Sequence, residues 1–192
     1  EIVVAASPAQ HWSKRTAFDN FKTLWASWSC ISNQNRVYFA GDTGCNAALN
    51  GLYGTADGVQ PNQTIQNNSN NNNNENANIQ DSSSMDSAAS SEETPIIHQS
   101  HFSEIGNVLG PYDLALIPIG AYEPRKLLQA QHICPEEAVA AHVQLNAKNS
   151  MGIHWGTFML TTEPVDEPPK KVDAEMKRLG LDSKEFFVLK HG

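Results

Sequence analysis

The sequence predicts an α/β fold in which strands and helices form a layered sheet. Short apolar runs that end in polar or glycine-rich turns predict several strands. Longer segments with apolar residues three and four positions apart predict helices. Strands mixed with helices in this way are typical of layered α/β domains.

Three strands are predicted near the N-terminus. The apolar run "EIVVAAS" stops at a Ser-Pro pair, and "TLWASWSCI" alternates large and small residues as a half-buried strand does. The third run, "RVYFAGDTG", passes from a strand into a Gly-Asp-Thr-Gly turn. These runs supply the first strands of the predicted sheet.

The later part of the chain predicts a short helix and two more strands. "HFSEIGNVLGPYD" has the pattern of a short helix before a turn. "DLALIPIGAY" is a continuous apolar run, which suits a strand covered on both faces. "SMGIHWGTFML" is a third such run, and we predict that His154 lies at the end of its strand.

Two further segments predict helices that would cover the sheet. "CPEEAVAAHVQLNAK" carries Pro135 at the first helical position and two acids in the first turn, both favourable there. "KVDAEMKRLGL" spaces its apolar residues three and four apart and then reaches Gly180, a stop signal.

An Asn/Ser-rich tract interrupts these elements. It includes "QNNSNNNNNENANIQDSSSMDSAASSEE", which has too few apolar residues to offset the entropy lost on ordering. We therefore predict a disordered insertion at residues 55–94, within a domain formed by residues 1–54 and 95–192.

Composition excludes some classes of function. A net charge of -8 argues against a nucleic-acid-binding surface, which needs a basic patch. No apolar run approaches the length of about 18–20 residues that spans a bilayer.

The three widely spaced cysteines form no disulfide framework and are expected to be small buried residues. Because the chain does not begin with Met, we expect a fragment or a processed form.

Chemically active residues follow three of the predicted strands. His11, Asp42 and His154 each come directly after an apolar run, where sites form in layered α/β folds. Imidazole and carboxylate are ligand types for zinc or iron. The spacing by itself leaves open a metal site or three unrelated residues.

The sequence around these residues resembles a known family. "PAQHWSKR", "YFAGDTG", "DLALIPIGAYEPR", "QHICPEEAV" and "MGIHWGTF", in that order, resemble the N-acyl-phosphatidylethanolamine-hydrolysing phospholipases D, which are metallo-β-lactamase-fold hydrolases. The resemblance implies an αββα sandwich with two zinc ions that activate water. The implied reaction releases an N-acylethanolamine and phosphatidic acid.

The resemblance also assigns roles to residues. His11, Asp42 and His154 match metal ligands, and His132 matches a histidine that handles a proton or contacts phosphate. Second-shell or substrate-rim candidates are Asp113, Tyr122, Arg125 and Trp155. From the residues alone, Asp113 equally suits a turn, Arg125 equally suits pairing with an acid, and Trp155 equally suits packing.

One departure limits what this chain is expected to do. The family's HxHxDH motif, which supplies most of the other ligands, is absent from the sequence. The resemblance therefore covers the C-terminal half of the enzyme, a partial αββα sandwich that leaves one sheet face exposed. We expect the 192 residues alone neither to fold stably nor to hydrolyse lipid, because the N-terminal half would be needed to complete the site.

The implied partner is a phospholipid at a membrane surface, with no nucleic acid, and a homodimer is one form considered for the intact enzyme. The resemblance implies an intracellular, membrane-associated location, mitochondria included. Two alternatives stay open. The chain is another hydrolase of the same fold, such as a lactonase, or a non-catalytic truncated product or interaction fragment.

Overall fold

The computed structural model describes residues 1–14, 16–23, 25–45 and 100–190. The strands in these ranges form a single six-stranded sheet whose neighbours follow chain order. They are β1 (Ile2–Pro8), β2 (Ala26–Ser32), β3 (Arg36–Phe39), β4 (Leu114–Pro118), β5 (Ser150–Ile153) and β6 (Phe186–Phe187). The insertion predicted at 55–94 lies outside the described residues, so the domain boundaries around it stay predictions.

The helices follow the predicted pattern closely. They are α1 (His101–Leu109), α2 (Arg125–Leu128), α3 (Pro135–Gln144) and α4 (Glu167–Arg178). Pro135 does stand in the first turn of α3, and the backbone N–H of Cys134 donates to the Glu137 side chain to close the capping box. Gly180 follows α4 with a φ of +69°, the left-handed conformation that ends helices.

One predicted strand end agrees with the structure and one predicted helix start does not. Strand β5 ends at Ile153, so His154 lies at the strand end as predicted, and its φ of +58° turns the chain there. Helix α4 begins at Glu167, four residues before the predicted Lys171. Prolines lack the N–H that a first helical turn leaves unpaired, so the two prolines after Glu167 suit a helix start.

Strand direction brings several loops to one edge of the sheet. β1 and β3 each pair antiparallel with β2, and so they run in the same direction. β4 and β5 continue parallel to β3. The carboxyl ends of β1, β3, β4 and β5 therefore open at the same edge, where the residues that follow them can meet.

The helices cover one face of this sheet. Side chains alternate across a strand, so Tyr38 of β3 and Ala115 and Ile117 of β4 point to the same side, and all three are fully buried. They form one apolar core with residues from three helices: Phe102 and Ile105 of α1, Ala138, Val139 and Ala141 of α3, and Val172 and Met176 of α4.

The opposite face is apolar but open to solvent. A row of side chains crosses all six strands in register on this face: Ala6, Trp28, Phe39, Leu116, Met151 and Phe187. Trp28 is 46% exposed and Phe39 is 43% exposed. This is the exposed sheet face that the sequence led us to expect.

Replacing a side chain under the helices tests where the core lies. We expect Ile117→Ala to lower the free energy of unfolding by about 2–5 kcal/mol, because the fully buried residue would leave a cavity. Urea denaturation measures the change. The control is Val108→Ala on α1, where the side chain is 71% exposed and the change should stay within about 0.5 kcal/mol. Equal losses in both variants would contradict this description of the core.

Candidate metal centre

Four titratable side chains meet at the carboxyl edge of the sheet. His11 follows β1, Asp42 follows β3, His154 follows β5, and His132 lies between α2 and α3. We call these four residues the histidine–aspartate cluster. The structure thus brings together the three predicted ligands and the predicted proton-handling histidine, although they are as much as 143 positions apart in the chain.

The Asp42 carboxylate lies between two imidazole rings. Its Oδ1 is 3.3 Å from Nε2 of His154, and its Oδ2 is 4.0 Å from Nε2 of His11. The ring of His132 completes the cluster, with its centroid 5.2 Å from that of His11 and 5.4 Å from that of His154. Each carboxylate oxygen therefore faces a different imidazole, as a bridging ligand would require.

The backbone of His154 aims its side chain into the cluster. A φ of +58° is uncommon for a residue with a Cβ and costs about 1–2 kcal/mol. Gly120, after β4, allows this conformation because a Cβ there would lie 2.3 Å from the carbonyl oxygen of His154. Strained residues of this kind concentrate at functional sites.

Two histidines of the cluster have pKa values shifted in opposite directions. The hydrogen bond with His154 holds the pKa of Asp42 below its usual value, and the same contact raises the pKa of His154. Burial, reinforced by the nearby His154, lowers the pKa of His132 to about 4. His132 is therefore neutral at neutral pH, with a lone pair available on one ring nitrogen.

The ring nitrogens that lack partners fit a metal ligand set. Nδ1 of His11 lies 2.9 Å from the carbonyl oxygen of Trp12, which fixes the proton on Nδ1 and leaves a lone pair on Nε2. That Nε2 and Nδ1 of His132 are buried without a hydrogen-bond partner among the described residues. A buried imidazole nitrogen without a hydrogen-bond partner is what a histidine ligand has before a metal ion binds, and both of these nitrogens fit that description.

The cluster supplies only part of a ligand set. Within the described ranges, no group of three or more His, Cys, Asp or Glu side chains already surrounds a position for a metal ion. The 3.3 Å contact between Asp42 and His154 does match the spacing of two donors on one zinc, about 3.3 Å for bonds of about 2.0–2.1 Å in a tetrahedron. The distance of 4.0 Å from Asp42 Oδ2 to His11 Nε2 is longer, so the ligand set is not closed around one metal position.

Arg125 takes the structural alternative that the sequence left open. Its guanidinium binds the carboxylate of Glu137 and donates to the carbonyl oxygen of His132 at 2.7 Å. With Glu137 only 5% exposed, this pair is committed to holding the turn before α3. Arg125 thus supports His132 through the backbone, and the predicted phosphate contact is not made by this paired side chain.

Two predicted rim residues lie elsewhere. Asp113 precedes β4, at the opposite end of the strand from the cluster, and accepts hydrogen bonds from the backbone of Arg36 and from Lys148. These bonds fit the turn-stabilising role that the sequence left open for it. Tyr122 is fully buried beneath Lys171, whose Nζ lies 5.0 Å from the ring centroid, and it lines a second pocket together with Arg125.

Trp155 forms part of an apolar pocket beside the cluster. The pocket has a volume of about 330 Å³, within the range of ligand sites, and His154 belongs to its wall. Its remaining wall is mostly apolar, and Phe158, Met159 and Leu160 contribute to it while being 65–80% exposed. Trp155 also packs against the main core, which is the alternative that the sequence left open for it.

Glu163 and Thr43 support the site but escaped the sequence analysis. Glu163 accepts hydrogen bonds from the backbone of Ala121 at 2.7 Å and Glu123 at 3.2 Å and from Thr161 at 2.6 Å, and so it fixes the loop after β4. Thr43 is buried directly after Asp42. The Gly-Asp-Thr-Gly turn was the only sequence signal for Thr43. No neighbouring residue marks Glu163, whose backbone partners Ala121 and Glu123 lie about forty residues earlier in the chain.

Known proteins of similar sequence share one family. A family profile described as a β-lactamase superfamily domain matches residues 94–155. The chain is 35% identical over 173 residues to N-acyl-phosphatidylethanolamine-hydrolyzing phospholipase D 1 of Caenorhabditis elegans, covering 89% of this chain and 34% of that protein. It is 28% identical over 172 residues to the mitochondrial enzyme of that name from Saccharomyces cerevisiae, covering 88% of this chain and 26% of the yeast protein.

A solved structure has the same fold. Igni18, described as a novel metallo hydrolase from the archaeon Ignicoccus hospitalis, aligns over 98% of this chain and 50% of its own, with a TM-score of 0.51 and 17% identity. The chain spans about a third or less of the length of the two curated relatives above. By fold and sequence, the chain is a metallo-β-lactamase-fold domain similar to the N-acyl-phosphatidylethanolamine-hydrolysing phospholipases D.

Proposed function

We propose that this chain carries part of the active site of a zinc-dependent phosphodiesterase that hydrolyses N-acyl-phosphatidylethanolamine. The observation that carries the proposal is the Asp42 carboxylate placed between His11 and His154 at the carboxyl edge of the sheet. Support for the substrate comes from relatives whose names state this activity.

The cluster residues would have two different roles in hydrolysis, metal binding and proton transfer. His11, Asp42 and His154 would hold metal, which lowers the pKa of water and offsets negative charge on the phosphoryl oxygens. His132, neutral because burial lowers its pKa to about 4, would accept a proton from the attacking water. The bond between phosphorus and the ethanolamine oxygen breaks, and that oxygen takes up the proton as N-acylethanolamine leaves.

The apolar pocket supports a lipid substrate. Hydrocarbon chains need an apolar wall next to the reacting group, and Trp155, Phe158 and Met159 provide one beside His154. Glu163, the carboxylate in that wall, is already occupied by three hydrogen bonds. We therefore propose that the acyl chains of the substrate lie against this pocket.

The place of action would be an intracellular membrane surface. No helix in the described part of the chain is long and apolar enough to cross a bilayer. The exposed Phe158, Met159 and Leu160 offer an apolar contact at the pocket mouth, and the yeast relative is named as mitochondrial. We propose membrane association through this surface, with mitochondrial membranes as one location.

Removing a proposed ligand tests the metal site. We expect His154→Ala to weaken zinc binding by more than about tenfold and to abolish release of N-acylethanolamine, because Asp42 loses its nearest imidazole. The measurements, made on the full-length protein that contains this chain, are metal content after dialysis and product release from vesicles. The control is His101→Gln, since His101 lies in α1 outside the cluster. A zinc content in the His154 variant equal to that of the wild type would contradict the assignment.

Polar substitutions at the pocket mouth test the lipid contact. We expect the double variant Met159→Ser and Leu160→Ser to raise the KM for vesicle-bound substrate at least about tenfold, because fully burying even one such side chain in lipid is worth about 1.5–3 kcal/mol. A soluble short-chain phosphodiester should be hydrolysed at the wild-type rate. The matched control, Val108→Ser, alters an equally exposed apolar residue on α1. An unchanged KM on vesicles would rule out this surface.

The ligand count predicts what the chain does alone. Two zinc ions need more donors than the two imidazoles and one carboxylate of His11, His154 and Asp42, since each zinc takes about four ligands. We therefore propose that the 192 residues by themselves bind fewer than two zinc ions tightly and release no product. Two tightly bound zinc ions, together with turnover by the isolated chain, would overturn this proposal.

A further inference from the structure

Thr43 connects three of the loops that carry the cluster. Its side chain is only 1% exposed, and it comes directly after Asp42 in the loop that follows β3. The hydroxyl oxygen accepts the backbone N–H of Gln10 at 2.9 Å and donates to the carbonyl of Gly44 at 2.8 Å. The backbone N–H of Ile133 donates to the Thr43 carbonyl at 2.8 Å.

Two of these bonds end next to a cluster residue. Gln10 precedes His11, and Ile133 follows His132. A second bond, from the N–H of Gly44 to the carbonyl of Gln10 at 2.6 Å, also links the first two loops. The loops that carry His11 and His132 are therefore both bonded directly to the residue after Asp42.

The adjacent glycine allows the third loop to approach. A Cβ at Gly44 would lie 2.5 Å from the carbonyl carbon and oxygen of Ala130, which is two residues before His132. The backbones of the two segments are in contact at this point. The loop after β3 can therefore approach the segment before His132 only when residue 44 has no side chain. Thr43 then fixes the contact by accepting the N–H of Ile133.

We propose that Thr43 is a positioning residue that sets the spacing of His11 and Asp42 for metal binding and holds His132 beside them. The inference rests on the proposed function, because it assigns the purpose of that spacing to the metal. It acts through the backbone of the neighbouring loops and touches neither substrate nor metal.

Two substitutions separate positioning from packing. Thr43→Val keeps the branched shape but removes the hydroxyl, so it leaves the N–H of Gln10 unpaired in a buried place. Thr43→Ser keeps the hydroxyl but removes a methyl group and leaves a small void. Packing alone predicts that Ser is the more harmful change, whereas positioning predicts that Val is.

Zinc affinity, measured by competition with a chromophoric chelator in the full protein, is the first readout. We expect Thr43→Val to weaken binding ten- to a hundredfold, the usual effect of losing a residue that orients ligands. Thr43→Ser should stay within about threefold of the wild type, since the orienting bonds persist. Wild-type affinity in the Val variant, or an equal loss in the Ser variant, would overturn the proposal.

A second readout needs no metal and distinguishes this inference from the proposed function. In metal-free protein, the Val variant should lose hydrogen-exchange protection at the Gln10 amide and show shifted ring signals of His11 and His132 in NMR spectra. The Ser variant should match the wild type in both. If the wild-type protein binds no zinc, the proposed function fails, and these metal-free spectra still decide whether Thr43 sets the spacing. Unchanged spectra in the Val variant would refute it.

Discussion

The contact between the Asp42 carboxylate and the imidazole of His154 is the interaction on which the site depends. It joins loops from two parallel strands, and it lowers the pKa of one partner while raising that of the other. The raised pKa of His154 favours its protonated form, which cannot bind a metal ion. Metal binding at this histidine is therefore coupled to pH.

Much of this site could be read from the sequence because its ligands follow strands. An apolar run that stops at His11, Asp42 or His154 reports both a strand and its end, and parallel strands bring such ends to one edge. The same reasoning could not place Asp113, because the residue opens its strand and lies at the wrong edge. It could not place Tyr122 either, since burial depends on Lys171 and α4, which lie far along the chain.

The supporting residues were harder to predict for a related reason. Thr43 and Glu163 act through hydrogen bonds to backbone groups of distant loops, and such bonds leave no periodic trace in a sequence. Tertiary contacts override local pattern at these points.

The left-handed backbone at His154 has a consequence for selection and engineering. Glycine adopts that conformation without strain, so replacing the histidine would relax the backbone while removing a ligand. Screening variants of this chain for thermal stability alone would therefore favour glycine at position 154. Such a search would enrich stable proteins that have lost their chemistry, a trade-off between stability and activity located at a single dihedral angle.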